Sequence, residues 1–439
     1  MSTSVRPAVR SGRADAWTGV VAIGLFVVAA VAGALLYLSG RPVLASAAPL
    51  FAHWLPHVGP GTPPAICLAG LVVWHGPAVA GRLPWRRLLG VSYAAATAWI
   101  VSLALVDGWQ RGLADRLTTR HEYLHEVAGV TDIAAMLRTF STRILDFQPD
   151  SWATHVSAHP PGALLVFVGL DRIGLGGGGW AALTCVLAGA LIAVAVPQTV
   201  RLLAGESAAR ATVPFMVLFP GAVWIGVSAD GLFAGVTATG IALVVAGLVR
   251  RAAWPSLAGG VVLGMGVFLS YGLVLLAPVV LAAAVAARQW RPLLWAIPGA
   301  AAVVGAFALA GFWWLDGYHL LVERYYQGIA ADRPYAYWIW ANVAVLAVAA
   351  GPAAFVILRR AVTGRSTAAT HLLPIAAAVA IVAADLSGLT KAEVERIWLP
   401  FGGWLMAGAA LIPAGDRRGW LAAQAGIALL VNHLLLTTW

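Results

Sequence analysis

Long apolar runs separated by short arginine-bearing segments dominate this chain of 439 residues. A helix needs about 20 apolar residues to cross the ~30 Å hydrocarbon core of a bilayer. The run from Trp17 to Leu38 meets that length, so it indicates a retained span and not a cleaved signal peptide. We predict about 13 spans, near 17–38, 64–80, 88–106, 179–198, 211–228, 230–249, 256–271, 273–287, 294–314, 337–357, 371–386, 397–413 and 419–436.

Composition excludes a soluble protein of this length. Charged residues make up 10% of the chain and hydrophobic residues 61%, whereas soluble domains carry about 25% charged residues. So few charges could not cover a soluble surface, and such an apolar chain is not disordered. The predicted fold class is all-α, a polytopic transmembrane helical bundle. We expect a single integral-membrane domain over 1–439, with three spans in 17–106, an external loop at 107–159 and the remaining spans in 160–439.

The net charge of +10 comes from 27 arginines and one lysine against 18 acidic residues. The arginines lie in twos and threes between apolar runs, which is typical of cytoplasmic loops and argues against nucleic-acid binding. In the resulting topology the cytoplasmic side holds 17 basic and 3 acidic residues, and the external side holds 10 and 14. We predict a multi-pass plasma-membrane protein with the lipid bilayer as a partner, a cytoplasmic N-terminus and an external C-terminus.

The segment 107–159 is the largest break in the apolar pattern, with 7 of the 18 acidic residues and 4 of the 10 histidines. Its helical spacing predicts short amphipathic helices on the bilayer surface. The two predicted apolar faces are Leu124, Val127 and Ala128, and Ile133, Met136 and Leu137. The stretch 160–175 that follows must enter the membrane and return if 179–198 is one crossing. Alternatively it crosses, and a later span does not.

Ionisable residues at the external span ends are functional candidates, because charge inside a membrane is costly. His159 precedes Pro160-Pro161-Gly162, where two prolines remove backbone donors and Gly162 permits close approach. A histidine at such a corner can hold a phosphate or hydroxyl, or it can be merely interfacial. His155 lies four residues earlier, but the prolines interrupt the helix that a zinc-binding pair would need. We predict no metal and no cofactor.

Two carboxylates compete for the role of general base. Glu122, in His121-Glu122-Tyr123, could deprotonate a sugar hydroxyl if its surroundings tune its pKa. Asp107 ends a span, so the bilayer fixes its position. Either residue could instead be a solvated loop charge.

Other external residues could bind a substrate. Asp230 either closes a tight turn or lines a cavity. Arg396 suits a phosphate because its guanidinium forms bidentate bonds, although Glu395 and Arg396 could also pair at a helix end. The remaining candidates are Tyr123, Tyr271 and Arg333. A cluster of aromatic residues could form a sugar platform or an interfacial belt: Tyr325, Tyr326, Tyr335, Tyr337, Trp338 and Trp340.

These motifs together resemble the GT-C superfamily of integral-membrane glycosyltransferases, and in pattern its protein O-mannosyltransferases and lipid A aminoarabinose transferase. The matching motifs are His121-Glu122-Tyr123, His159-Pro160-Pro161-Gly162 and Ser228-Ala229-Asp230, within 88–290. The resemblance implies a mannosyltransferase-like transfer from a polyprenyl-phosphate-linked sugar to a glycan, lipid or protein acceptor of the cell envelope, with inversion. It implies that Glu122 is the base, that His159 fills the His/Lys position, and that basic residues hold the leaving phosphate.

The chain departs from the family pattern because Asp107 and Glu122 are fifteen residues apart and form no Asp-Glu pair. Two spans also precede the loop-bearing hairpin, where the relatives have one. Two alternatives stay open: a transporter or flippase of a lipid-linked or small solute, and a non-catalytic envelope scaffold. Transporters place ionisable residues near the midplane. Here they gather at one face, which favours the enzyme.

Overall fold

The structure, a computed structural model, describes residues 12–438 as a bundle of helices with one short pair of strands. In the first half of the chain the helices are α1 Gly12–Leu38, α2 Thr62–Arg82, α3 Trp85–Ala104, α4 Leu124–Val127, α5 Ile133–Thr139, α6 Thr154–Ser157, α7 Pro161–Arg172, α8 Gly178–Ala190, α9 Ile192–Ala204, α10 Glu206–Val217, α11 Ala222–Ile225 and α12 Ala229–Arg250. In the second half they are α13 Ala253–Leu269, α14 Ala277–Ala287, α15 Ala296–Leu309, α16 Trp314–Gln327, α17 Tyr335–Ala349, α18 Pro352–Gly364, α19 Ala369–Leu386, α20 Val394–Ile397, α21 Leu399–Leu405 and α22 Arg417–Leu434. Strands β1 Ala52–Trp54 and β2 Leu435–Thr437 pair antiparallel, a feature that the sequence did not predict.

Seven helices within residues 12–438 are long and apolar enough to cross a bilayer, or eight if one bent pair is a single span. The seven are Gly12–Leu38, Thr62–Arg82, Trp85–Asp107, Gly178–Ala204, Ala229–Arg250, Arg291–Leu309 and Ala369–Leu386. Shorter apolar helices cover Ala253–Leu269, Tyr271–Ala287 and Leu399–Leu411. The predicted polytopic helical bundle is confirmed, and the number of 13 spans stays a prediction. Arg6 and Arg10 of the predicted cytoplasmic tail lie outside the described residues.

The prediction of one span at 211–228 is wrong. Helix α10 ends at Val217, and α11 is a separate piece of only four residues. Pro220 lies between them, where its missing N–H and fixed φ interrupt a continuous helix.

The predicted span 337–357 is also not one helix, because α17 and α18 meet at a bend of 107°. Gly351 lies at the bend with φ of +81°, a conformation that favours glycine. The amide of Gln424 donates to the carbonyl of Ala350 at 2.9 Å and accepts from the N–H of Ala353 at 3.4 Å. A neighbouring helix thus satisfies backbone groups that the bend leaves free, as a broken span requires.

The segment 107–159 folds into the short helical pieces that its spacing predicted. Val127, Met136 and Leu137 are buried. Ala128 and Ile133 are exposed, which corrects the two predicted apolar faces. The reason is length: α4 has four residues and α5 has seven, and these two residues lie at their ends.

The stretch 160–175 forms α7, whose 12 residues are too few to cross a ~30 Å core. Its last residue, Arg172, donates to the carbonyls of Val130 and Thr131 at 2.7 and 2.9 Å. Gly178 then packs closely against the backbone of Ala114. The chain therefore leaves α7 at the same end of the bundle where it entered. Entry of this segment into the membrane stays a prediction.

The long helices define two ends of the molecule. Helix α3 begins at Trp85, which donates to Gln198 of α9 at 2.8 Å, and its 3₁₀ extension ends at Asp107. Helix α22 begins at Arg417, and near its other end Asn432 donates to the carbonyl of Leu103 at 3.0 Å. We call the end that carries Asp107 and segment 107–159 the site end. The opposite end, the arginine end, carries predicted cytoplasmic arginines: Arg82, Arg201, Arg210, Arg359, Arg360 and Arg417.

Candidate active site

A buried polar cluster at the site end joins segment 107–159 to helices α12 and α20. Glu122 lies in segment 107–159, and its Oε1 is 3.4 Å from Nε2 of His155 in α6. The other ring nitrogen of His155, Nδ1, is 3.4 Å from Nη2 of Arg396 in α20. Glu122 and Arg396 are only 7% and 6% exposed. His155 thus lies between a buried carboxyl and a buried guanidinium.

Arg396 is held by two further carboxylates. Its Nη1 donates to Asp230 Oδ2 at 2.6 Å, and its Nη2 donates to Glu393 Oε2 at 3.0 Å. Asp230 lies in the first turn of α12, where a carboxylate is favoured by the helix dipole. Arg333 extends this network of ion pairs. Its Nη1 donates to Glu393 Oε1 at 3.0 Å and to the carbonyl of Lys391 at 2.8 Å.

The predicted His-Pro-Pro corner lies against this cluster. His159 Nδ1 is 2.9 Å from the hydroxyl of Tyr123 and 2.7 Å from the carbonyl of His155. Its ring packs near that of Phe233 in α12, with centroids 5.4 Å apart. A side chain at Gly162 would collide with the backbone of Phe268, so the close approach predicted for this glycine is present.

The charges of the cluster do not balance. Glu122, Asp230 and Glu393 are three carboxyls, and Arg396 and Arg333 are two guanidiniums. Burial raises the pKa of Glu122 to about 7, with Asp230 and Glu393 adding to the rise and Arg396 opposing it. A carboxyl poised near neutral pH is what general base catalysis requires, because it can both accept and release a proton.

Burial also sets the ionisation of the two histidines. It lowers the pKa of His155 well below the usual value, and Arg396 lowers it further. Burial likewise lowers the pKa of His159, against the opposing effect of Asp230. Both imidazole rings are therefore neutral at pH 7, and each has one donor and one acceptor nitrogen.

Asp107, the rival base, has a different set of partners. Its carboxylate is 2.9 Å from Nε2 of His57, 3.0 Å from Arg111 and 2.9 Å from Arg116. Arg116 also donates to the carbonyl of Thr437 at 2.6 Å, which ties this group to strand β2. Asp107 thus pairs with two arginines and also contacts His57.

Two other predicted residues face away from the Arg396 cluster. Glu395 is 1% exposed and accepts from the backbone N–H of Phe51 at 3.0 Å, so it anchors the segment before β1. Burial raises its pKa to about 7. Tyr271 packs against Trp314 and Tyr318 of α16, with centroids 5.2 and 6.0 Å apart. These contacts support structural roles for both side chains.

Only part of the predicted aromatic platform lies beside the site. The hydroxyl of Tyr337 donates to the carbonyl of Ala29, and the indole of Trp338 donates to the carbonyl of Val43. Both side chains are buried helix contacts. Tyr325 and Tyr326, by contrast, lie against Lys391 of the loop that precedes α20.

Lys391 is a candidate that sequence reasoning missed. Its ammonium lies 5.2 Å from the ring centroid of Tyr326 and 6.0 Å from that of Tyr325. Its backbone is fixed on both sides, by the Tyr325 hydroxyl and by Arg333. Burial and Arg333 lower its pKa. The available signal was its rarity, because it is the single lysine among 27 arginines.

Within residues 12–438, no group of three or more His, Cys, Asp or Glu side chains has the arrangement of a metal site. The cluster instead offers a poised carboxyl, neutral imidazoles and several cations around one location. Such a set suits proton abstraction beside an anionic leaving group.

The structure thus defines a polytopic helical membrane protein with a buried polar cluster at one end. The crystal structure of the Archaeoglobus fulgidus oligosaccharyltransferase, in complex with Zn and sulfate, superposes with a TM-score of 0.50 over 80% of this chain and 53% of that chain, at 12% identity. ArnT from Cupriavidus metallidurans, in the apo state, gives a TM-score of 0.41 over 72% of this chain and 60% of that chain, at 17% identity. Both are GT-C glycosyltransferases. The chain thus spans 53% and 60% of the lengths of these two proteins.

Sequence comparison adds no closer relative: no protein-family model matches the chain, and no curated protein matches it. The structural likeness confirms the predicted GT-C fold. The fold alone does not establish the function, because one fold can host unrelated chemistries.

Proposed function

We propose that this chain is a membrane glycosyltransferase that moves a sugar from a polyprenyl-phosphate donor to an acceptor hydroxyl, with inversion. It acts as one integral-membrane domain at the external face of the plasma membrane. The observation that carries the proposal is Glu122, a buried carboxyl with a pKa near 7 that contacts His155 in the cluster formed with Arg396 and Arg333. The GT-C fold adds support, since the archaeal oligosaccharyltransferase that shares it is a glycosyltransferase.

In the proposed reaction the acceptor hydroxyl attacks the anomeric carbon of the donor sugar. A new bond forms between the hydroxyl oxygen and that carbon, and the bond from the carbon to the phosphate oxygen breaks. Glu122 takes the hydroxyl proton, and polyprenyl phosphate leaves with the bonding electrons. A positioned base contributes roughly 10²–10⁴-fold to the rate of such a step.

The departing phosphate needs cations, and Lys391 and Arg396 are the groups we assign to it. Lys391 is buried along its stem, while its ammonium rests on two tyrosine rings. Arg396 is already shared between Asp230 and Glu393, so its role is to set the potential around the leaving group. Fixed charges in a water-poor site stabilise a developing anion more than water does.

His159 and His155 are positioning residues in this proposal. His155 contacts Glu122 and Arg396, and keeps the base and the cation apart at a fixed distance. His159 fixes the ring of Tyr123, the residue after the base, through a 2.9 Å hydrogen bond. Truncation of either ring would therefore disorder Glu122.

The experiment is sugar transfer in membranes that overproduce the full chain, with radiolabelled polyprenyl-phosphate mannose and arabinose as donors. Glu122→Gln and Lys391→Met are the test variants. Glu323→Gln is the matched control, because Glu323 is exposed on α16. The proposal expects the Glu122→Gln variant to lose transfer by about 10²-fold or more and the control to keep it.

Three results would contradict this assignment. Loss of transfer in Asp107→Asn with activity retained in Glu122→Gln would make Asp107 the base. Retention of the donor's anomeric configuration in the product, read by NMR, would exclude inversion. Neither transfer nor donor hydrolysis by the unaltered chain, with both sugars, would favour a transporter or a scaffold.

A further inference from the structure

A cavity of about 410 Å³ opens at the arginine end, between α2, α10 and α22. It is far from the candidate active site, because α22 runs from this cavity to the site end. One part of its lining is charged and the other part is apolar. Arg210, Arg417 and Glu206 supply charge, while Pro77 and Ala211 supply an apolar surface.

The charged part of this cavity carries a net positive charge. Glu206 is shared by two guanidiniums, with contacts of 2.9 Å to Arg201 and 2.6 Å to Arg210. Arg417 donates to the backbone carbonyls of Ile412 and Ala410, and among the described residues it has no carboxylate partner. The lining itself thus holds two guanidiniums, Arg210 and Arg417, and one carboxylate, Glu206, and this net positive charge favours binding of an anion.

The surroundings indicate where that anion would come from. Trp74 and Leu71 of α2 are 67% and 59% exposed, so the apolar face of this helix is available to lipid. Positive charge at the end of apolar helices attracts anionic headgroups of the adjoining leaflet. The apolar residues inside the cavity would contact the glycerol backbone and the first acyl carbons, which a free inorganic anion lacks.

We propose that this cavity binds the phosphate-bearing headgroup of an anionic glycerophospholipid. The phosphate contacts Arg417 and Arg210, and the glycerol region lies against Pro77 and Ala211. A volume of about 410 Å³ is within the ~300–1,000 Å³ range of small-molecule sites. This site is independent of the proposed transferase activity, so either proposal can fail alone.

The test is native mass spectrometry of the delipidated full chain, titrated with phosphatidylglycerol or with phosphatidylcholine of the same acyl chains. Arg417→Gln removes the cation that has no carboxylate partner among the described residues, and Arg418→Gln is its control. Arg418 is exposed and stacks on Trp74 outside the cavity. We expect phosphatidylglycerol to bind Arg417→Gln about tenfold more weakly, because a charge-assisted hydrogen bond is lost. Arg418→Gln should stay within about twofold of the unaltered chain.

A second variant fills the cavity without changing charge. Gly81 lines it, and a Cβ there meets no atom within 4 Å, so Gly81→Leu is compatible with the fold. Gly70→Leu is the control on the same helix, also with no atom within 4 Å. We expect only Gly81→Leu to weaken phosphatidylglycerol binding, again by about tenfold.

Several results would overturn the proposal. Equal affinity for phosphatidylcholine would show that the negative charge is not recognised. Equal losses in Arg417→Gln and Arg418→Gln would indicate attraction by surface charge alone, and unchanged binding in Gly81→Leu would place the lipid elsewhere. If inorganic phosphate displaces the lipid as well as glycerophosphate does at equal concentration, the site is one for a free anion.

Discussion

Glu122→Gln tests the buried carboxyl through stability as well as through activity. Glutamine keeps the size of the side chain and removes its ionisation. In the folded chain the pKa of Glu122 is raised to about 7 from the ordinary 4.5. The folded state therefore binds the proton more tightly than the unfolded state, and between these two values folding is weakened as the pH rises.

The size of the effect follows from the same two pKa values. One pKa unit corresponds to about 1.4 kcal/mol of difference between the protonation states. Between pH 5 and pH 8, ionisation of Glu122 should cost about 2–3 kcal/mol of unfolding free energy. Glu395, buried with a pKa near 7 as well, adds a change of the same sign, whereas His155 and His159, whose pKa values are lowered, add changes of the opposite sign. The comparison of Glu122→Gln with its control therefore isolates the contribution of Glu122.

The assay is unfolding in mixed detergent micelles at pH 5 and pH 8, for the unaltered chain, Glu122→Gln and the exposed control Glu323→Gln. We expect Glu122→Gln to lose about 2–3 kcal/mol less unfolding free energy between the two pH values than the control does. Sugar transfer by the unaltered chain should rise with pH through about 7, because the base must be ionised to act. Equal pH dependence in all three proteins would refute the reasoning that Glu122 is a buried carboxyl of raised pKa.

Further substitutions distinguish residues needed for sugar transfer from residues that stabilise the fold. Arg396→Lys should lower sugar transfer at least tenfold at unchanged protein level. Lysine lacks the planar guanidinium whose two nitrogens donate separately to Asp230 and Glu393. Full activity of this variant would contradict the role of Arg396. Asp107→Asn should keep transfer within a few fold yet lower the unfolding free energy by about 3 kcal/mol, since the buried guanidinium of Arg116 loses its carboxylate partner. Gly162→Ala should cost about 1–3 kcal/mol in the same unfolding assay through collision with Phe268, and a neutral effect would argue against that contact.

The helical class of the fold could be predicted because each membrane span is a continuous apolar stretch of sequence. The arginine clusters likewise predicted which helix ends lie together. The bend at Gly351 could not be predicted, because hydropathy is continuous over 337–357. What makes the bend possible is the amide of Gln424, about 70 positions later, and no local pattern reveals such a partner.

The members of the candidate site could be predicted more readily than their pairing. Glu122, His155, His159, Asp230 and Arg396 all stand out as ionisable residues near predicted external span ends. Their contacts could not be read from the sequence, because His155 and Arg396 are 241 positions apart.

The roles of Glu393 and Lys391 could not be predicted from the sequence. Glu393 lies beside Glu395 in one short motif, and only the folded chain shows that Glu393 binds both Arg396 and Arg333 while Glu395 faces Phe51. Lys391 carries no motif at all. Its relevance comes from its position against Tyr325 and Tyr326.

The unequal charges of the cluster have a consequence for the proposed reaction. Asp230 and Glu393 are engaged by Arg396 and Arg333, so Glu122 is the carboxyl in excess. Before the reaction its negative charge is held in a buried location, which is the less favourable state. Transfer of the acceptor proton to Glu122 removes that charge at the same moment that the leaving phosphate gains one. The cations of the cluster can then act on the phosphate without competition from Glu122, so an arrangement that weakens folding above pH 7 favours the chemical step.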